Sequence, residues 1–166
     1  MGIEIERRFL VKNEDWKSNV IVSENFSQAY LNSSIDEWAT RVRVIDNKKA
    51  YITLKSSLSR LINYEFEYLI PTKDAIELIN LSKYKITKTR YQLKINKKNW
   101  VVDLFYGSNA PLKIAEIELN SESEEIEVPS WCSQEITGIK SLSNASLAKT
   151  PISKFSVKDR MQFKES

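Results

Sequence analysis

Apolar and polar residues alternate with a period of two along most of the chain, in short segments separated by turn residues. This alternation is typical of β-strands that have one apolar and one polar face. Strands are therefore expected to outnumber helices. The pattern predicts strands at residues 3–11, 26–33, 38–46, 49–57, 63–70, 85–95, 100–106 and 112–120.

Helical patterns are fewer. The apolar period becomes helical at residues 72–84, and Thr72 is expected to cap this helix at its N-terminus. A further helix is expected to begin at Ser121, which precedes several acidic residues. The remainder, roughly 133–166, is expected to be helical or irregular, with residues 144–149 as its clearest helical piece.

The polar faces of the predicted strands carry charges that are sorted by sign. An antiparallel sheet usually turns its charged face to water. Here, however, acidic residues stand in the middle of strands, where they are disfavoured, and some strands are purely acidic on this face while others are purely basic. The charged residues of this face include Glu4, Glu6, Arg8, Arg41, Arg43, Lys55, Glu65, Glu67, Lys88, Arg90, Asp103, Glu116 and Glu118.

These strands are numerous enough to close into a barrel with helices on its apolar exterior. The charged face would then point inward and line a tunnel. The fold class expected is mainly β (α+β), an eight-stranded antiparallel closed β-barrel with helices packed on the outside. The length of 166 residues suits one domain over residues 1–166.

Composition narrows the chemistry. The chain has no histidine, which excludes histidine-dependent nucleophilic catalysis and histidine metal sites. The single cysteine, Cys132, excludes an internal disulfide, argues against structural zinc and agrees with a reducing, cytoplasmic location. No apolar run has membrane-spanning length, so no membrane partner is expected. A metal ion would therefore be bound by oxygen ligands, which favours Mg²⁺ or Mn²⁺.

A tunnel of this kind requires a ligand that satisfies both signs of charge. Crowded carboxylates repel one another unless a divalent cation lies among them, and crowded arginines favour a polyanion. With only three glycines and no glycine-rich phosphate loop, side chains would have to bind the phosphates. A metal-bound polyphosphate meets these demands.

An ordered series of motifs resembles the CYTH domains, the triphosphate tunnel metalloenzymes. The opening "EIERR" is similar to the family's ExExK signature, with Arg8 in place of the last lysine. The likeness covers nearly the whole chain in the expected order. It continues through "RVR", "ITLK", "EFEY", "KTRY", "VDLF", "AEIEL", "VPSWCSQEIT" and "NASLA".

The resemblance implies an eight-stranded barrel tunnel and chemistry at a triphosphate assisted by Mg²⁺ or Mn²⁺. Glu65 and Glu67 match acidic tunnel positions, either as second metal ligands or as partners that orient the basic cluster. The metal ligands that it implies are Glu4, Glu6, Asp103, Glu116 and Glu118.

The same resemblance assigns the basic residues to phosphate binding, with Lys88 also in a catalytic role. Because histidine is absent, a carboxylate, Glu6 or Glu118, or a metal-activated water must serve as the general base. The sequence does not choose between them. The implied phosphate-binding residues are Arg8, Arg41, Arg43, Lys55, Lys88 and Arg90.

Hydrolysis of inorganic triphosphate is the function expected, because the chain is small and shows no nucleoside pocket. Thiamine triphosphatase, nucleoside triphosphatase and class IV-type adenylate cyclase are alternatives within the same chemistry. A polyphosphate- or nucleotide-binding module with little turnover, marked by Arg8, is an alternative of another class. Nucleic acid is not an expected partner, since the basic residues alternate with acids on an interior face. Both a monomer and a homodimer stay open.

Overall fold

The structure is a computed structural model that describes residues 2–32 and 38–161. Nine strands and three α-helices follow one another in it. Their bounds are β1 Ile3–Val11, β2 Val20–Tyr30, β3 Ala39–Ile45, β4 Lys49–Ser57, β5 Ile62–Leu69, α1 Thr72–Leu81, β6 Tyr84–Ile95, β7 Lys98–Phe105, β8 Lys113–Glu118, β9 Cys132–Glu135, α2 Asn144–Lys149 and α3 Val157–Met161.

Eight of the strands form a closed antiparallel barrel, as the alternation predicts. Their order is β5-β4-β3-β2-β6-β7-β8-β1, and the residues at the start of β1 pair with β5 to close the sheet. The two-residue loop of the β6–β7 hairpin, Asn96 and Lys97, has positive φ at both positions, as tight hairpins with right-handed twist require. The predicted fold class is confirmed, with one strand in addition.

That additional strand, β9, was not predicted, because the sequence suggested helical or irregular structure beyond residue 133. It pairs with the second half of β1, so that Phe9 lies opposite Glu135. Four residues are too few to show a period. Strand β2 also begins at Val20, six residues before the predicted start, and residue 33 of that prediction lies outside the described residues.

Three expectations about helices are wrong. Residues from Ser121 onward form a turn and an extended segment rather than a helix. The Glu124 carboxylate accepts hydrogen bonds from Asn120 and pairs with Lys98, which fixes this segment against β7. Thr72 is the first residue of α1 rather than its cap, and its hydroxyl donates to the Lys48 carbonyl oxygen instead. Helix α1 also ends three residues early, at Leu81.

Two apolar clusters cover the outside of the barrel. Helix α1 packs Ala75 and Ile79 onto the outer wall of β2, β3 and β4. On the opposite side, Trp16 and Trp131 pack with Trp100 of β7 over the outer wall of β6, β7, β8 and β1. The outer wall of β5 exposes aromatic side chains instead. No helix of the described residues has the length and apolar character needed to cross a bilayer.

A third cluster closes one end of the tunnel. Leu10, Ile86, Phe105 and Ile114 stand two residues beyond charged tunnel residues on the same strand faces, and all four are buried. The chain after β9 packs onto them with Ile136 and Leu142, and α2 adds Leu147; all three side chains are fully buried. The polar part of the tunnel therefore has an apolar floor.

Candidate active site

The predicted charged residues line the inside of the barrel, as their alternation along the strands requires. They come from seven of the eight barrel strands and form ion pairs across the tunnel wall. The sequence therefore places these residues on the correct face. Their pairing partners depend on strand order and register, which the structure supplies.

The first group surrounds Lys55 on β4. Its ammonium group pairs with the carboxylate of Glu4, lies 3.4 Å from Glu6 Oε1 and 3.2 Å from Glu65 Oε2. The Asn63 amide lies 3.4 Å from both Glu4 Oε2 and Glu6 Oε1. One lysine thus holds three carboxylates that belong to β1 and β5.

Burial and mutual repulsion perturb this group. Burial, together with the negative charges of Glu6 and Glu65, raises the pKa of Glu4 to about 7, and Lys55 opposes this shift. Burial opposes the charge of Lys55, but the three surrounding carboxylates outweigh it and raise the Lys55 pKa above its usual value. The group holds more negative charge than one lysine neutralises, so a further cation would be favourable there.

The second group joins β3 to β5. Arg43 Nη2 donates to both carboxylate oxygens of Glu67, at 2.8 and 2.7 Å. Arg41 Nη2 donates to Thr53 Oγ1 at 3.0 Å and lies 3.4 Å from Glu65 and 3.3 Å from Glu67. The two arginines therefore point into the tunnel, and the acidic residues that pair with them both lie on β5.

The third group is the most deeply buried. Arg90 donates through Nε and Nη2 to the two oxygens of Asp103, both at 2.7 Å, and lies 2.5 Å from Glu116. Lys88 lies 2.5 Å from Asp103, whose side chain is fully buried. Burial lowers the pKa of Lys88 to about 8, with Asp103 opposing the shift. Burial also disfavours the Glu116 carboxylate, but Arg90 and Arg8 outweigh it and hold its pKa well below the usual range.

Arg8 lies at the bottom of this group, next to the apolar floor. Its Nε donates to Glu116 Oε1 at 3.1 Å, and its Nη2 donates to the Leu142 carbonyl oxygen at 3.1 Å. Its backbone N–H donates to Thr137 Oγ1. Arginine at this position can make both side-chain contacts because its donors form a planar fork, which lysine lacks.

Glu6 and Glu118 stand directly opposite each other on β1 and β8. The Glu118 side chain is exposed and makes no hydrogen bond or ion pair with other described residues, while the Glu6 carboxylate has only the distant contacts to Lys55 and Asn63. Like charges in this arrangement destabilise a sheet unless a cation lies between them. Oxygen donors of this type suit a hard divalent cation, so the residues fit such an ion.

The described residues do not themselves assemble a metal centre. No group of three or more Asp, Glu, Cys or His side chains within residues 2–32 and 38–161 has the closeness needed to bind a metal ion. The predicted ligands Glu4, Asp103 and Glu116 pair with lysine or arginine instead. Metal binding at this site would therefore require some carboxylates to exchange these partners.

Some tunnel residues were not singled out from the sequence. Asn63 and Thr53 lie at alternate positions from Glu65 and Lys55 on β5 and β4, so the same strand period could have found them. Phe26 and Gln28 on β2 also face the tunnel, and Gln28 is fully buried with its Oε1 unpaired among the described residues. They were missed because neither is charged.

A closed β-barrel with a charged interior and an apolar floor defines this chain as a β-barrel tunnel protein. The CYTH domain family model matches residues 2–150, and the chain belongs to that family. The chain is 36% identical over 157 residues to the inorganic triphosphatase of Acetivibrio thermocellus, covering 93% of this chain and 99% of the relative.

Solved structures agree with this membership. The crystal structure of the inorganic triphosphatase NE1496 is similar with a TM-score of 0.66 and 29% identity, over 87% of this chain and 93% of that one. A conserved hypothetical protein from Pyrococcus furiosus has a TM-score of 0.58 and 25% identity, over 72% of this chain and 80% of the other.

Proposed function

We propose that this protein is a metal-dependent triphosphatase whose substrate is inorganic triphosphate. The observation that carries the proposal is that one tunnel contains two kinds of charged surface. These are the opposed carboxylates of Glu6 and Glu118 and a wall of arginine and lysine side chains. A metal–triphosphate complex offers a cation to the first and phosphate oxygens to the second. The relatives named inorganic triphosphatase support the same substrate.

We assign the cation to the acidic residues and the phosphates to the basic ones. Glu65 and Glu67 keep Lys55 and the two arginines of β3 in place, which their ion pairs support. The proposed metal ligands are Glu4, Glu6, Asp103, Glu116 and Glu118.

The proposed phosphate-binding residues belong to four strands, β1, β3, β4 and β6. Where these residues pair with proposed metal ligands, as Lys88 does with Asp103 and Arg90 with Glu116, the ion pairs would be exchanged for contacts with phosphate oxygens. Each buried charge would then keep an opposite charge beside it, because the released carboxylates would face the cation. These phosphate-binding residues are Arg8, Arg41, Arg43, Lys55, Lys88 and Arg90.

When bound, Mg²⁺ or Mn²⁺ would withdraw charge from the phosphate oxygens and favour deprotonation of a water molecule. Glu118 is the better placed of the two candidate bases, since no cation pairs with its carboxylate among the described residues, whereas Lys55 lies 3.4 Å from Glu6. Lys88, with a pKa near 8, can stabilise the charge on the leaving diphosphate. Glu6, Lys88 and Glu118 thus form the proposed catalytic set.

A phosphate-release panel tests this function. Triphosphate, diphosphate, thiamine triphosphate and ATP are each supplied with Mg²⁺, Mn²⁺ or Ca²⁺, and cyclic AMP is measured in the ATP reactions. We expect the highest kcat/KM with inorganic triphosphate. A preference for thiamine triphosphate or ATP would show that this compound, rather than inorganic triphosphate, is the substrate. Formation of cyclic AMP would identify ATP as the substrate of a cyclase reaction. Metal-dependent binding of triphosphate with no product would make the chain a binding module.

Glu116→Gln tests the assignment of the acidic wall. Both oxygens of Glu116 accept from arginine, and glutamine keeps its volume but removes its charge. We expect kcat to fall by about 10²-fold or more, while the far-UV circular dichroism spectrum stays that of the wild type. Glu122→Gln, an exposed change in the loop after β8, is the matched control. Full activity of Glu116→Gln would overturn the assignment.

Three expectations about the wider protein stay predictions. These are a cytoplasmic location, one domain over residues 1–166 and a monomer or homodimer that does not bind nucleic acid. The placement of the basic residues inside the tunnel supports the last of them, because duplex binding requires basic groups on an exposed surface.

A further inference from the structure

Three cations of the tunnel surround the ring of one phenylalanine, Phe26 on β2. The centroid of this ring lies 5.1 Å from Arg43 Cζ, 5.5 Å from Arg90 Cζ and 5.8 Å from Lys88 Nζ. All three distances are within the range of a cation–π interaction. The register explains the grouping, because Phe26 lies opposite Lys88 on β6 and Ile45 on β3. Arg90 and Arg43 each stand two residues from those positions, on the same strand faces.

Packing in the apolar core does not account for Phe26. Phe26 is 4% exposed, yet it belongs to none of the three apolar clusters that the described residues form. Phe105, which also lies near Lys88, does belong to the cluster at the tunnel floor. A buried aromatic ring whose neighbours are cations is therefore a feature of the tunnel rather than of the core.

The three cations would repel one another without a group between them. Acidic residues compensate for their charge from one side, Glu67 for Arg43 and Asp103 for the other two. The ring lies near all three cations, and the negative potential of an aromatic face attracts cations. It cannot accept strong hydrogen bonds, so it leaves the N–H donors available to another ligand.

We propose that Phe26 is a positioning residue for triphosphate, which holds Arg43, Lys88 and Arg90 together so that their donors converge on the phosphate chain. This inference rests on the proposed role of these cations in phosphate binding. A carboxylate at position 26 would also gather the cations but would neutralise them and compete with phosphate. A phenylalanine gathers them and leaves their charge for the substrate.

Fluorinated phenylalanines at position 26 test the inference. One, two and three ring fluorines progressively remove the negative potential of the face while the shape of the side chain changes little. We expect KM for inorganic triphosphate to rise with each fluorine, to about fivefold in total, with kcat within about twofold and an unchanged melting temperature. A KM that is flat across the series would overturn the inference.

Two further measurements separate this inference from the proposed function. The same fluorinated series at Phe66, an outer-wall residue next to Trp38, is the matched control and should leave KM unchanged. Arg43→Ala should raise KM strongly. If Arg43→Ala raises KM and the Phe26 series does not, the positioning role is wrong and the phosphate site stands. If neither changes KM, both are wrong, and a rise in the Phe66 series would equally refute a specific role for Phe26.

Discussion

Arg8 joins the tunnel to the segment that closes it, because its Nη2 donates to the carbonyl oxygen of Leu142 at 3.1 Å. The same guanidinium donates to Glu116 at 3.1 Å, and the Arg8 side chain is only 9% exposed. One residue thus connects a proposed metal ligand to the floor of the tunnel. This dual contact gives a physical reason for arginine rather than lysine at position 8.

Arg8→Lys should therefore destabilise the fold without removing the charge. The single ammonium of lysine cannot bond both partners in this geometry, and a lost hydrogen bond from a charged group to a buried carbonyl costs about 1–3 kcal/mol. Urea unfolding measures the difference. The control is Arg60→Lys, since Arg60 also donates to a backbone carbonyl, that of Thr137, but is exposed. Equal losses in the two variants, or none in Arg8→Lys, would contradict this explanation.

Glu118→Gln should change stability and metal affinity in opposite directions. Removing one of two opposed carboxylates relieves repulsion with Glu6, so the metal-free protein should gain about 0.5 kcal/mol. The affinity for Mn²⁺, measured by electron paramagnetic resonance without triphosphate, should fall by about tenfold. Glu122→Gln should leave both quantities unchanged. Wild-type Mn²⁺ affinity in Glu118→Gln would remove Glu118 from the proposed ligand set.

The ion pair between Arg7 and Glu135 should make part of the stability pH-dependent. The hydrogen bond from Arg7 lowers the Glu135 pKa below 4.5, and Arg7 Nη2 lies 2.6 Å from Glu135 Oε2. A lowered folded-state pKa adds stability above the unfolded pKa, and this stability is lost as the pH falls through the folded pKa.

The test compares Glu135→Gln with the wild type in urea at several pH values. The wild type should be more stable by about 0.5–1 kcal/mol at pH 7, since both side chains are partly exposed, and the difference should vanish in acid. Glu77→Gln on the exposed side of α1 should show no such dependence. A difference that grows in acid would have the wrong sign for this ion pair.

Cys132 should react slowly in the native protein. Burial raises the pKa of its thiol to about 12, with Lys12 opposing only in part. The reactive thiolate is then roughly one part in 10⁴ at pH 8. We expect iodoacetamide to label the native chain at least about 100-fold more slowly than the urea-unfolded chain, as measured by mass spectrometry. Comparable rates in the two states would show that the β9 end of the barrel opens readily.

The tunnel residues could be predicted because strand alternation is a local property. Glu4, Glu6 and Arg8 share a face whatever their neighbours are, so the sequence alone separates them from Arg7. The C-terminal part was harder to predict. β9 is short and gains its hydrogen bonds from β1, more than 120 residues earlier, so no local signal marks it.

Period-two alternation was enough to predict the barrel, its polar interior and the kinds of charge within it, because it fixes which residues share a face. Which charges meet depends on how the strands are arranged in the folded barrel. Strand order brings Asp103 to Arg90, register sets Glu6 against Glu118, and the barrel end brings Leu142 to Arg8. These contacts depend on long-range pairing and burial, and a residue's own sequence neighbours do not specify them.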